Sequence, residues 1–189
     1  VSAHSPPSNG WIEGEVVYVE RGEASGDYEG KNVEGKIILA HGDSYLVWKQ
    51  AERRGVKCVL VYRDTGGPDH AVPYTGLFLT LEEAAKAKCP VLNVSRSTAH
   101  KILRLLRSGK KPVIRVRVDA EYDFNPVFPV VKATIRGFEG GRSVILIAHI
   151  CHPMPGANDN ASGSVALLEL ALTLNKLIRE GILERPRYD

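Results

Sequence analysis

Glutamine, methionine and cysteine are scarce in this sequence. Gln50 and Met154 are the sole residues of their kinds, and the cysteines are Cys58, Cys89 and Cys151. Three cysteines without a Cys-x-x-Cys pair exclude a disulfide framework and a zinc ribbon. The odd count leans toward a reducing, cytoplasmic compartment. Few thermolabile side chains beside abundant Lys, Arg and Glu fit a thermophile's composition. No uninterrupted apolar run reaches the ~18 residues that span a bilayer, so no membrane partner is expected. The start carries no signal-peptide pattern. It also lacks an initiator Met, so the longer parent's targeting is left open. Charge of one sign is missing too: 25 Lys and Arg stand against 22 Asp and Glu, a net charge of +3. The basic residues are interspersed with acids, so no nucleic-acid partner is expected. The cluster from Arg104 to Lys111 reads as the cationic end of a helix.

What is present is ordinary globular material, 43% hydrophobic and 25% charged over 189 residues. Residues 1–11 are a turn-rich lead-in. WIEGEVVYVE alternates and predicts a strand near Ile12 to Val19. KIILA, VKCVLVYR and PVLNVS are short apolar runs, hence buried strands. Asp43 or Ser44 caps a helix over Ser44 to Arg54, closed by Gly55. LEEAAKAKC predicts a short helix, and Ser97 caps another that ends at Gly109. KPVIRVRV alternates as a half-solvated strand should. His41 reads as a hydrogen-bonding turn residue and His100 as part of a solvated helix face. His70 lies in a long loop, and Tyr74 and Trp48 read as packing residues. Residues 119–126 form a linker. Beyond it, PVVKATIRG and RSVILIAH predict a hairpin about Glu139-Gly140-Gly141. A helix from about Asn160 to Arg179 follows. Two strands and one helix cannot close a core. Residues 127–189 are therefore expected to be the opening of a larger domain, and the chain a fragment.

The chemistry concentrates in HICHPMPGANDNASG, residues 149 to 163. An apolar strand delivers His149 at its carboxyl end, and Asp159 stands just before a helix. Ligands of open α/β sheets bind outside the carboxyl ends of strands. Imidazole and carboxylate are suitable zinc donors. The rival reading is a plain strand-to-helix turn, because Asp159 also sits where a helix cap belongs. On spacing alone, both readings stay open.

The segment ILIAHICHPMPGANDNASGSVALLELA resembles the co-catalytic di-zinc aminopeptidases, relatives of the glutamate carboxypeptidases and the transferrin-receptor ectodomain. Gly156 to Gly163 carry the likeness most closely. The resemblance implies two zinc ions in the complete parent, with His149 ligating one and Asp159 bridging both. It also implies a cis peptide after Asp159. The family's His-x-Asp reads His149-Ile150-Cys151 here, so the acid that orients the histidine is replaced. Cys151 or His152 then becomes an alternative ligand or orienting group. The general-base Glu is expected beyond residue 189, along with further ligands. The 189-residue chain is accordingly expected to be inactive, with metal absent or weakly held.

Residues 12–118 resemble a protease-associated domain through GKIILAHGD, the helix before RRGVKCVLVYRD, and PVLNVS. The implied fold class is α/β. A protease-associated, β-rich α/β module precedes the truncated start, a β-hairpin plus long helix, of a zinc-peptidase α/β/α core. The implied activity is that of a zinc-dependent exopeptidase, an aminopeptidase acting on peptide substrates. Cys151 keeps a competing reading open, a non-catalytic binding module on a degenerate peptidase fold. The unpartnered strand and helix faces predict dimerisation or segment exchange in the chain as it stands.

Overall fold

The computed structural model describes residues 1–152 and 154–189. It divides into two compact units, Val1–Pro126 and Val127–Asp189.

In the first unit the short apolar runs become strands because both faces of a parallel sheet are covered. The sheet contains β1 (Ile12–Tyr18), β2 (Ile37–Ala40), β3 (Cys58–Val61), β4 (Val91–Asn93) and β5 (Val113–Val116). Their spatial order is β4-β3-β2-β1-β5. The first four are parallel, and β5 closes one edge antiparallel to β1. Alternate residues feed two cores. Ile38, Ala40, Val59 and Val61 pack with Val47, Trp48 and Ala51 of helix α1 (Ser44–Glu52). The short helix α2 (Leu81–Lys86) sends Ala84 to the same side. Ile37, Leu39, Cys58 and Leu60 pack with Ala99, Ile102 and Leu103 of helix α3 (Arg96–Arg107).

Local chemistry sets the helix starts. The Asp43 carboxylate accepts from the amides of Tyr45 and Leu46, so Asp43, not Ser44, caps α1. Helix α3 begins earlier than its sequence suggests. Ser95, in extended backbone, accepts from the Thr98 amide and is the cap in place of Ser97. Residues 21–35, between β1 and β2, hold a 3-10 turn, Ser25–Tyr28. Trp48 is buried as a packing residue, whereas Tyr74 is exposed and its packing reading is corrected. His41 makes its expected bond: the Tyr18 hydroxyl lies 3.0 Å from His41 Nδ1.

The second unit departs from expectation. Helix α4 (Ser162–Arg179) is present, but the predicted β-hairpin is not. Among the described residues, none from 127 to 189 is in a strand. The apolar residues Val130, Val131, Ile145 and Ile147 stay exposed. A strand needs a partner ladder, and the turn is instead engaged by the chain's end. The amides of Phe138 and Glu139 donate to the carbonyls of Pro186 and Arg187, and the Val144 amide donates to that of Asp189. Helix α4 contains no uninterrupted apolar run, yet its hydropathy is high. Ala157–Arg179 has a mean hydropathy of 1.3 in its most apolar window, long and apolar enough on those grounds to cross a membrane. Glu169, Thr173, Asn175 and Lys176 interrupt it, which is why no uninterrupted run shows.

Burial separates the three thiols. Cys58 and Cys89 are buried and Cys151 is exposed. Desolvation pushes the Cys58 thiol up to about 12 and raises that of Cys89. Only thiolate reacts with disulfide reagents. Native chain treated with a chromogenic disulfide at pH 8 is therefore expected to release one equivalent rapidly, from Cys151. The other two should appear only after denaturation, and early labelling of Cys58 would contradict this core.

Candidate metal centre

The loop before α4 is built by its small residues. A wide turn, Ala157–Ala161, joins directly to the helix, with non-helical backbone at Asp159 and Asn160. The Asp159–Asn160 peptide bond is cis. A Cβ on Gly156 would stand 2.1 Å from the Asp159 carbonyl oxygen, and one on Gly163 2.4 Å from Asn160 Oδ1. Both positions therefore require glycine for close approach, not for backbone sign. Asn160 Nδ2 donates to the His149 carbonyl at 3.0 Å, and the Ser164 hydroxyl donates to the same oxygen at 3.1 Å. These two bonds tie the end of the apolar run to the first turn of α4.

Three of the four candidate side chains meet there. Asp159 Oδ1 lies 3.1 Å from His149 Nε2, and Asp159 Oδ2 lies 3.3 Å from His152 Nε2. Each imidazole curls over its own chain. His149 Nδ1 lies 2.9 Å from the Cys151 carbonyl oxygen, and His152 Nδ1 faces the Met154 carbonyl oxygen. A carbonyl cannot donate, so each Nδ1 carries the proton. In the neutral tautomer each Nε2 then presents a lone pair to a carboxylate oxygen. Lone pair against lone pair repels. The contact becomes favourable with a second imidazole proton or with a cation between the donors.

Imidazole and carboxylate are donors that zinc takes. Zinc–nitrogen and zinc–oxygen bonds of about 2.0–2.2 Å in tetrahedral geometry place neighbouring donors roughly 3.3 Å apart. The two His–Asp separations match that spacing. A ligating histidine also characteristically gives its other N–H to a carbonyl or carboxylate. The Cys151 backbone supplies this acceptor for His149, while the Cys151 sulfur stands 3.9 Å from Nδ1. Among the described residues no group of three or more His, Cys, Asp or Glu converges on one ion position. The arrangement is two donor pairs sharing one carboxylate. The importance of His152 and the carbonyl acceptors is only half visible in the sequence. The signal is the His-x-x-His spacing; the curl of each ring onto its i+2 carbonyl has no sequence signature.

These side chains border an open cavity of about 800 Å³, also lined by Ile150, Met154 and Val165. A second cavity, about 650 Å³, lies in the first unit among His41, Asp43, Tyr45, Phe78 and Glu83. Its acids are already committed. Asp43 caps α1, and Glu83 accepts from the amide of Thr80, the cap of α2, and from the Tyr45 hydroxyl. Those bonds hold the Glu83 carboxyl below its ordinary value, the Thr80 amide first among them. The loop cavity is thus where uncommitted donors gather. His70 is exposed on its own loop in the first unit.

Comparison with known proteins gives this geometry a setting. Residues 131–183 match the Peptidase family M28. Leucine aminopeptidase 2 of Trichophyton equinum and of Trichophyton tonsurans are each 28% identical over 177 residues, 91% of this chain and 34% of the relative. The solved aminopeptidase from Aneurinibacillus sp. strain AM-1 superposes with a TM-score of 0.50 at 24% identity, over 61% of this chain and 26% of that one. The resemblance to aminopeptidases is borne out, and the mixed α/β architecture agrees with the solved relative. The chain spans about a third of the length of the curated relatives it matches.

The clamp on His149 can be tested directly. Gly163→Ala drives a methyl into Asn160 and is expected to destabilise the loop locally, because a Cβ at 2.4 Å forces backbone or amide movement. Ser164→Ala removes one donor from the His149 carbonyl while Asn160 retains the other, a loss of about 1 kcal/mol or less. Hydrogen exchange at residues 156–165 should rise strongly in Gly163→Ala and slightly in Ser164→Ala. Equal protection in both variants would contradict the clamp.

Proposed function

We propose that these 189 residues belong to a zinc-dependent aminopeptidase. The first unit is its protease-associated module, and residues 127–189 are the metal-binding opening of its catalytic domain. The carrying observation is the Asp159 carboxylate flanked by two imidazoles whose Nδ1 protons are committed elsewhere. The aminopeptidase relatives support the family-level activity. His149 and Asp159 are the ligands in this reading, with His152 beside them and Cys151 acting through its carbonyl.

When bound, zinc supplies a Lewis acid and an activated water. Asp159 contributes the negative charge that holds cations at the cavity floor. The His149 backbone is tied by Asn160 and Ser164, and its ring rests through Nδ1 on the Cys151 carbonyl, so that Nε2 faces Asp159. The cavity beside them is open enough to admit the end of a peptide. A general base is expected from a Glu outside these residues, so the 189-residue chain alone should not turn over.

The test uses the complete coding sequence in which these residues occur. Zinc-loaded protein should hydrolyse an aminoacyl p-nitroanilide, lose activity to a chelator and regain it with zinc. Asp159→Asn should reduce kcat by about a thousandfold or more, on the scale of removing a main electrostatic group. Metal binding without hydrolysis would favour the competing reading, a non-catalytic recognition module. The replacement of the family's acid by Cys151 is the feature that keeps that reading in play.

The exposed apolar residues of the second unit support a further expectation. Val127, Val131 and Ile147 are at least 85% exposed, and Val165, Leu168 and Leu172 line α4 in the open. Apolar faces of this extent associate. The isolated 189-residue chain should dimerise or exchange segments at micromolar concentration. Light scattering that returns a monomer mass across a broad dilution series would refute this.

A further inference from the structure

We infer that the cavity of the first unit binds a free α-amino acid with a large apolar side chain. Arg63 and Ser44 take its carboxylate, Asp43 takes its ammonium, and the exposed rings of Tyr74 and Phe78 cover its side chain. The site lies wholly in the first unit and does not rest on the metal-dependent reading of the loop before α4.

The cavity, about 650 Å³, opens where β2 and β3 end. His41 to Ser44 follow β2, and Tyr62 and Arg63 follow β3. The crevice outside the carboxyl ends of parallel strands is where open α/β sheets take ligands. The volume falls within the roughly 300–1,000 Å³ of small-molecule sites. Ser44 is the observation that points to a ligand. It is 3% exposed and lines the cavity, yet its hydroxyl has no hydrogen-bond partner among the described residues. A buried hydroxyl without a partner costs stability, and a bond from a ligand restores it. Helix capping does not account for Ser44, because Asp43 caps α1. Trp48 Nε1 is also without a partner, but Trp48 packs in the core and is not in the cavity lining.

The groups left free select the ligand's charge. The cap fixes Asp43 without exhausting it: Oδ1 accepts both amides, and among the described bonds none reaches Oδ2. Arg63 is exposed and has no partner among the described ion pairs. A purely anionic ligand would meet Asp43 and Glu83 as like charges. A purely cationic one would meet Arg63 in the same way. A zwitterion satisfies both ends of the cavity. The rim selects the side chain. Tyr74 is 57% exposed and Phe78 is 67% exposed. Phe78 is nevertheless held in place. Its φ is +47°, a region that bulky residues seldom adopt. Its ring lies so close to Gly76 that a Cβ there would stand 2.6 Å away, and the His4 ring meets it edge-on at 5.7 Å between centroids. Buried Val61 and Leu77 complete an apolar lining beneath these rings.

The experiment adds L-phenylalanine to the 189-residue chain in the presence of a chelator, following amide shifts by NMR and affinity by calorimetry. Shifts are expected at residues 41–45, 62–63 and 74–80, with none at 149–165. N-acetyl-L-phenylalanine and L-phenylalaninamide each lack one charge and should bind about tenfold more weakly, the loss of one charge-assisted bond. Glycine, without a side chain, should produce no shifts. Ser44→Ala separates binding from folding. Its affinity should fall about tenfold while Tm holds or rises, because the variant removes an unsatisfied hydroxyl and leaves the Asp43 cap intact. Arg63→Gln, at an exposed position, should lose affinity by a similar factor without a change in Tm. Absence of shifts up to about 10 mM ligand, weaker than any specific site of this size should be, would overturn the inference. Shifts confined to residues 149–165 would overturn it too, by placing the ligand on the other unit. Undiminished binding of either singly charged analogue would overturn the zwitterion assignment, and full affinity in Ser44→Ala would remove the hydroxyl on which the site is argued.

Discussion

The candidate site depends on one constraint: the loop before α4 holds the Asp159 carboxylate between the Nε2 atoms of two imidazoles. Asp159 is 62% exposed, and exposed His–Asp pairing is worth about 0–1 kcal/mol at most. Such pairing cannot shape a loop. The shape comes from uncharged parts: glycine at 156 and 163, the Asn160 amide, the Ser164 hydroxyl, and the backbone carbonyls of Cys151 and Met154. These fix the donors in place before anything binds. In the proposed metal-dependent reading, a cation would meet donors whose conformational cost the loop has largely met.

The two units are unequally legible in the sequence. In the first, KIILA and VKCVLV carry their fate in composition, because a parallel sheet covered on both faces needs continuous apolar runs. Their strands lie where those runs are. The cap of α3 lies two residues before the serine that the pattern suggests, since Ser95 and Ser97 are chemically equal and only the extended backbone at Ser95 decides between them. In the second unit, RSVILIAH has strong strand character but no ladder partner, so propensity alone leaves it irregular. A strand is a property of pairing, and the information for the pair does not reside in the segment itself.

The same asymmetry applies to α4. Its hydropathy is compatible with a bilayer, and its exposed leucines find no protein partner among the described residues of the second unit. Residues 131–183 nevertheless match a peptidase family across this helix. As a membrane span, the helix would have to carry Asp159 and its histidines at its end. Apolar residues at Val165, Leu168 and Leu172 recur every three or four positions and make a stripe. A stripe is what a layer of an α/β sandwich needs. A membrane span is apolar on all sides, and Glu169, Asn175 and Lys176 break that requirement.

Cys151 carries the most weight for what the loop has kept. Taken as a side chain, it looks like a loss, since a thiol cannot replace a carboxylate in orienting His149. The orienting acceptor is in fact the carbonyl of the same residue, which any amino acid supplies. The ring of His152 is oriented by the same means. Substitution at position 151 therefore removes a charge near the site but not the tautomer control that a ligand histidine requires. Loss of the acid would weaken the basicity of His149 somewhat, because a carbonyl polarises an imidazole less than a carboxylate does. On that ground the substitution by itself is poor evidence that the loop has abandoned metal.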